Sequence, residues 1–345
     1  MEPISVLPIR ENMNWSNGNK PFLLLPAVKD YLWGGSRLND DFNLGVSVSP
    51  FAEAWVCSSH PDGESMAFDQ PLSRVLEAHP EWLGSHVLAI TEGRAELPIL
   101  IKLIDAKSDL SVQVHPNDEY AAKVEGQWGK TEMWYVLAAH SGAELVYGFN
   151  RDVSASQIRH GIENGSIGKL LNHVPVHKDD LFFIESGTVH AIGAGCLIAE
   201  IQQSSNLTYR LYDYDRTDKN GKKRELHIDK ALDVARLSSS AAPRQPMRVL
   251  RYKNGCASEL LTRCKYFQVE RLLLNTEGRK LAEFQTGENS FHALLCVNGC
   301  GNISGEDLNG ESYNLNFFKG DCVFVPAESI PFKLHGQAQL LNVSC

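Results

Sequence analysis

The feature that most constrains this chain is a series of short apolar runs, each broken by Gly, Asn, Asp or Pro. They are FLLLPAV (22–28), LPILIKLID (97–105), LSVQVH (110–115), MWYVLA (133–138), ELVYGF (144–149), LFFIES (181–186), CLIAEIQQ (196–203), LTYRLYDY (207–214) and FHALLCVNG (291–299). β-Branched and aromatic residues dominate them, as they do strands that pack on a pleated surface. Helix-length segments do not alternate with them, so a sandwich or barrel is expected rather than βαβ units. None approaches the roughly 20 apolar residues of a membrane span. The chain has 345 residues, 43% hydrophobic and 22% charged. Those are globular proportions, and at about 150 residues per domain they suggest two domains.

Helical patterns are few. RVLEAHPEWLGSHVLA (74–89) predicts one helix or two, interrupted at Pro80. The segment 154–173 opens on a Ser cap and carries apolar residues at 158, 162, 167, 170 and 171. IDKALDVARL (228–237) is a short amphipathic helix, and SSSAAPRQPM (238–247) reads as a linker. A faint repeat lays KDDLFFIESGTVHAI (178–192) on KGDCVFVPAESIPFKL (319–334), with His190 opposite Pro331. It implies two related strand units, one of which lacks the histidine.

The formal net charge of −9 argues against a nucleic-acid or anionic-membrane binder. A local cluster of Lys and Arg can still bind a small anion. The eight cysteines contain no C-x-x-C pair and read as reduced thiols of a cytoplasmic protein. The N-terminal MEPISVLPIRENMNW has no continuous apolar stretch of the secretory-signal type.

Gln113 and His115 lie two apart on a strand and share a face. Glu132 directly precedes the next strand, MWYVLA, and His190 follows the tight turn SGT. Two imidazoles, a carboxylate and an amide oxygen make a mixed N/O set for zinc, iron or manganese, open to water or substrate.

LSVQVHPND (110–118), GKTEMWYVL (129–137), FFIESGTVHAIGAGCLIAEIQQSSNLTYRLYDYDR (182–216) and ELHIDKALDVA (225–235) together resemble type I mannose-6-phosphate isomerase, in its short bacterial form. YLWGG (31–35), AEAWVCSSHPDG (52–63) and LPILIKLIDA (97–106) also fit. The resemblance is strong over 22–236 and general in character beyond. It implies a mainly β fold of two cupin-type (jelly-roll) barrels with a small helical insertion. Residues 1–150 and 174–237 would form the catalytic barrel, 151–173 the insertion and 248–345 a metal-free C-terminal barrel. It implies one zinc ion per chain on Gln113, His115, Glu132 and His190. It places Lys130 and Arg210 in catalysis, and Ser111, Lys130 and, more weakly, Lys102 at the substrate phosphate. Gly129 stands where longer relatives carry a His, so no role of that His applies here.

The reaction so implied interconverts mannose 6-phosphate and fructose 6-phosphate through a cis-enediol or enediolate. The base is left open among a water, Lys130 and a nearby acidic residue. Glu200, on the strand after the His190 turn, is such an acid or a structural carboxylate. Trp33, Trp55 and Trp134 read as core aromatics, and DRTDKNGKKREL (215–226) as a solvated hairpin with Asn-Gly at its tip. Two other readings are a non-catalytic sugar-phosphate-binding cupin, which keeps the metal and the phosphate anchor, and a non-haem iron oxygenase on the two His and the carboxylate, against which Gln113 and the phosphate residues count. A phosphosugar is the only partner implied, and oligomeric state is not fixed by the sequence.

Overall fold

The computed structural model describes residues 19–42, 44–217, 221–241, 243, 245, 247–277 and 281–345. Residues 1–18, which the sequence reading attaches to the first barrel, and the hairpin tip at 218–220 lie outside them. The chain is mainly β, in three large antiparallel sheets and one two-stranded ribbon. Among the described residues no strand order closes on itself into a barrel.

A six-stranded sheet forms the middle wall. Its order is Leu181–Ile184, Glu132–Ala139, Cys196–Gln203, Ile99–Ala106, Glu53–Cys57 and Ala27–Lys29. Its central strands are buried on both faces, so they read in sequence as continuous apolar runs rather than alternating ones. Strand alternation still sorts their side chains. Ile99, Ile101, Leu103, Met133, Tyr135, Leu197, Ala199 and Ile201 enter one core. Ile104, Trp134, Val136, Cys196 and Ile198 enter another on the opposite side.

On the first side lies a nine-stranded sheet built from the C-terminal block, whose Leu261, Val269, Phe291, Leu295, Phe324 and Val343 share that core. The strand Phe22–Leu24 joins this sheet by pairing with Cys322–Val325. Polar ties cross the same interface. Tyr135 Oη accepts from Arg271 Nη1 at 2.9 Å and Gln339 Nε2 at 2.7 Å, and Tyr266 Oη donates to Asp118 Oδ2 at 2.8 Å.

On the second side lies a five-stranded sheet ordered Leu171–Pro175, Glu144–Phe149, His190–Ile192, Val112–Val114 and Tyr209–Tyr212. Its outer face, with Val112, Val114, Val146, Phe149 and Leu211, packs against Ile158 and Ala231 of the helices Ala155–Glu163 and Ile228–Val234. The first of these helices begins at a capping box between Ser154 and Gln157.

The segment around Pro80 divides into a helix Leu72–Ala78, a 3-10 turn Pro80–Leu83 and a helix Ser85–Ile90. The segment 154–173 is helical only to Glu163. A 3-10 turn Ile167–Leu170 follows, and Leu171–Pro175 is a strand. The two halves of the faint repeat are both strand–turn–strand, with Leu181–Ile184 following Asp180 and Cys322–Val325 following Asp321.

The close approach that seats the His190 strand is at Gly193. A β-carbon there would meet the Glu144 carbonyl oxygen at 1.9 Å. Gly193→Ala should therefore lower the unfolding free energy by about 1–3 kcal/mol through overpacking. Chemical denaturation measures this, and an unchanged midpoint would contradict the packing described.

Candidate metal centre

Register builds the site. One row runs straight across the five-stranded sheet, pairing Tyr147 with His190, His190 with Gln113 and Gln113 with Arg210. Another crosses the six-stranded sheet, pairing Trp134 with Glu200, Glu200 with Lys102 and Lys102 with Trp55. Glu132 lies two residues before Trp134, on the same face. The polar faces of the two sheets meet here.

His115, Glu132 and His190 are all buried, and their ligand atoms lie within 4.8 Å of one another. His115 Nε2 is 3.1 Å from His190 Nε2, and the Glu132 oxygens are 3.5 and 3.4 Å from these two nitrogens. A tetrahedral ion with ligands about 2.0–2.1 Å away has ligand–ligand edges of about 3.4 Å, so the spacing fits. Gln113 Nε2 lies 3.4 Å from His190 Nε2, and its Oε1 accepts from Ser111 Oγ at 3.2 Å. The amide's oxygen and nitrogen have the same shape, and exchanging them turns the oxygen towards His190 Nε2.

The imidazoles are set for this. His115 Nδ1 donates to the Leu207 carbonyl at 2.7 Å, and His190 Nδ1 to the Thr188 carbonyl at 2.8 Å. Both Nε2 lone pairs are thereby turned inward. Burial, reinforced by Lys130, holds His115 well below the usual imidazole range. Burial pushes His190 down to about 4. Both rings are neutral at pH 7, the form a cation takes.

Charge also fits. Neither oxygen of Glu132 accepts a hydrogen bond, although Lys130 Nζ lies 2.8 Å from Oε2 and 3.2 Å from His115 Nε2. Burial, and then repulsion from Glu200, raises the Glu132 pKa. Burial alone would raise Glu200 as well, but Lys130 and Lys102 outweigh it and keep that carboxyl below its usual range. Glu200 accepts from Trp134 Nε1 at 2.8 Å and lies 3.3 Å from Lys102 Nζ. Lys102 is also 3.7 Å from Glu53, which accepts from Trp55 Nε1 at 2.6 Å. With all three ionised, three buried carboxylates face two buried ammonium groups, leaving one negative charge over. A divalent cation at His115, Glu132 and His190 would offset it.

Each residue singled out from the sequence therefore has a place. Gln113, His115, Glu132, His190 and Lys130 converge. Ser111 and Arg210 sit one step outward, with Arg210 Nε donating to Ser111 Oγ at 3.3 Å. Lys102 is 4% exposed and enclosed by Glu53 and Glu200. Trp55 and Trp134, expected as core aromatics, are fully buried and also hold carboxylates. The sequence did not reveal Glu53, whose partner Lys102 stands 49 residues away on a neighbouring strand. Alternation on AEAWVC would have put Glu53 and Trp55 on one face.

The family model described as phosphomannose isomerase type I, catalytic domain, matches residues 22–148. Mannose-6-phosphate isomerase ManA of Bacillus subtilis is 37% identical over 329 residues, covering 93% of this chain and 98% of that protein. The chain belongs to the type I mannose-6-phosphate isomerase family. The mannose-6-phosphate isomerase of Streptococcus mutans is 40% identical over 227 residues, 64% of this chain and 70% of that protein. The crystal structure of the Bacillus subtilis mannose 6-phosphate isomerase superposes with a TM-score of 0.82 at 33% identity, over 94% of this chain and 99% of that one. The isomerase catalytic-domain match spans Lys102, Ser111, Gln113, His115, Lys130 and Glu132, whereas His190 and Arg210 lie beyond it.

Glu132→Ala should leave less than about a tenth of an equivalent of divalent cation per chain after dialysis, since the anionic ligand is lost. Elemental analysis measures this, and full retention would place the cation elsewhere.

Proposed function

We propose that this chain is a cytoplasmic, zinc-dependent aldose–ketose isomerase that interconverts mannose 6-phosphate and fructose 6-phosphate through a cis-enediol or enediolate. The observation that carries this reading is the convergence of His115, Glu132, His190 and Gln113 in a buried, net-negative pocket, in a chain of this family. Zinc suits the N/O set, with one ion per chain, and has no redox chemistry to divert an enediolate. Bound there, it supplies Lewis acidity to the sugar's carbonyl and hydroxyl oxygens.

The chain's own groups supply the rest. Lys130, beside Glu132 and His115, holds positive charge at the reacting end. Glu200 and Lys130 are the groups of this cluster that can carry a proton between adjacent carbons. Arg210, next to Gln113 in the sheet row, offers a guanidinium to negative charge developing on the substrate. Ser111, hydrogen-bonded to both Gln113 and Arg210, points the phosphate towards the Arg210 side. Lys102 already faces two carboxylates, so we assign it to holding Glu200 rather than phosphate.

We read the five- and six-stranded sheets as a cupin-type catalytic unit spanning 1–150 and 174–237. The segment 151–173, helical over Ala155–Glu163, is its insertion and leads into the strand Leu171–Pro175 of the five-stranded sheet. Residues 248–345 form a metal-free unit of the same type, which the strand Phe22–Leu24 joins. Arg210 and Lys130, both placed beside the proposed ligands, favour turnover over a binding-only role.

A coupled assay with elemental analysis tests the assignment. The wild type should isomerise mannose 6-phosphate with one zinc per chain. Arg210→Ala should lower turnover about 10²–10³-fold with zinc content unchanged. Parallel loss of zinc and turnover would make Arg210 structural, and iron with oxygen uptake would overturn the isomerase reading.

A further inference from the structure

A phosphate monoester brings about 1.5 to 2 negative charges, and the cations deepest in the pocket are already engaged. Lys130 is paired with Glu132 at 2.8 Å, and Lys102 lies between Glu53 and Glu200. Arg210 differs. Its Nε donates to the Ser111 hydroxyl at 3.3 Å and its Nη1 to the Glu225 carbonyl at 2.8 Å, and neither partner is a carboxylate.

Two further arginines stand beside it, on the hairpin read from sequence as solvated. Asp213, 6% exposed, accepts from Arg224 Nε at 2.8 Å and Arg224 Nη2 at 2.5 Å, a two-pronged pairing. The same carboxylate accepts from Arg216 Nη2 at 2.5 Å. Two guanidiniums therefore share one buried carboxylate, and the third, Arg210, stands within electrostatic reach of it. Burial would raise the Asp213 pKa, but the hydrogen bonds from Arg224 and Arg216 outweigh it, so the group stays ionised.

The two arginines on Asp213 are not equivalent. Arg216 has all three nitrogens engaged, with Nε on the Asp213 carbonyl at 3.2 Å and Nη1 on the Asp109 carbonyl. It is scaffolding. Arg224 spends one edge on Asp213, and among the described residues its Nη1 has no acceptor. Its side chain keeps 38% exposure, so the pairing adds little stability. What it fixes is direction.

Arg224 lies within electrostatic reach of Arg210. Arg210 N donates to His227 Nδ1 at 3.2 Å, His227 N donates back to the Arg210 carbonyl at 2.8 Å, and Arg210 Nη1 reaches the Glu225 carbonyl. Residues 225–227 are thus stitched to the Arg210 strand, which brings Arg224 alongside its head. Burial and then the Arg224 charge lower the Arg210 pKa, as expected for neighbouring guanidiniums. Arg224 also acts electrostatically on Tyr31, which together with Leu32 is exposed. In the sheet row Arg210 lies two strands from His190, about 10 Å at the usual strand spacing. The cation end and the arginine end are separated along one line, as a sugar with a terminal phosphate requires.

We propose that Arg224, aimed by the Asp213–Arg216 pair, grips the substrate phosphate, its Nη1 and the Nη2 of Arg210, neither with an acceptor among the described residues, converging on one anion. This rests on the phosphosugar reading above. Arg224 is the contact residue and Asp213 a positioning residue.

The test uses the full-length, zinc-loaded chain, with inorganic phosphate as probe in calorimetry and mannose 6-phosphate as substrate in the coupled assay. Arg224→Ala should weaken phosphate binding about 10- to 100-fold, the loss of a charge-assisted pair. It should raise KM by a similar factor, with kcat falling less. Arg224→Lys keeps charge but loses the fork, so it should give an intermediate loss, and it serves if the alanine variant does not fold. Asp213→Asn should weaken phosphate binding less than Arg224→Ala. Phosphate affinity and KM within twofold of wild type in Arg224→Ala or Arg224→Lys would overturn the proposal, as would wild-type protein that binds no phosphate. Phosphate binding that depends on Arg224 in a chain that does not isomerise would keep this anion site and sink the isomerase reading. Isomerisation indifferent to Arg224 would do the reverse.

Discussion

The structure turns on the Glu132 carboxylate, buried between two neutral imidazoles with no hydrogen bond to either oxygen. An ionised carboxylate taken out of water costs several kcal/mol unless charge or hydrogen bonds replace the lost solvation. Lys130 supplies one charge. It also raises the cost of protonating His115, so the rings remain lone-pair donors rather than cations. The arrangement is a poor stabiliser on its own terms and a good receptor for a divalent ion. The carbonyl acceptors on both Nδ1 atoms lock it in that form.

Antiparallel register makes this possible at a distance. Each site residue lies on a strand whose alternate side chains fill a core, so the polar positions cannot slip without turning the apolar ones outward. The middle sheet is held from both sides, by the nine-stranded sheet and by the five-stranded one. The gap between the two polar faces is therefore fixed by packing rather than by the site's own interactions. Function is graded across that gap. The proposed cation ligands and Lys130 lie at its centre, with Ser111 and Arg210 one step out and Arg224 paired to Asp213 on the adjoining hairpin.

Local pattern made the strands legible, because composition and punctuation are properties of short segments. It also put Gln113 and His115 on one face. The helix Asp118–Glu125 was missed. Its Asn117 cap and left-handed Gly126 are clear in the structure, but Pro-Asn-Asp reads equally as a turn. The helix expected through 173 stops at Glu163, because Leu171–Pro175 gains more by pairing with Glu144–Phe149. Lys102 looked like a free cation because its partners, Glu53 and Glu200, lie far away in sequence and meet it only through register. The hairpin at 215–226 read as solvated for the same reason. Nothing local says that Asp213 is buried and claims Arg224.

Gln113, His115, Glu132 and His190 are proposed to hold one ion. Diffraction from zinc-grown crystals, measured at the zinc absorption edge, tests it most directly. A single anomalous peak bounded by these four side chains is the expected result. A density-free hollow there, or four side chains turned away from one another, would contradict it.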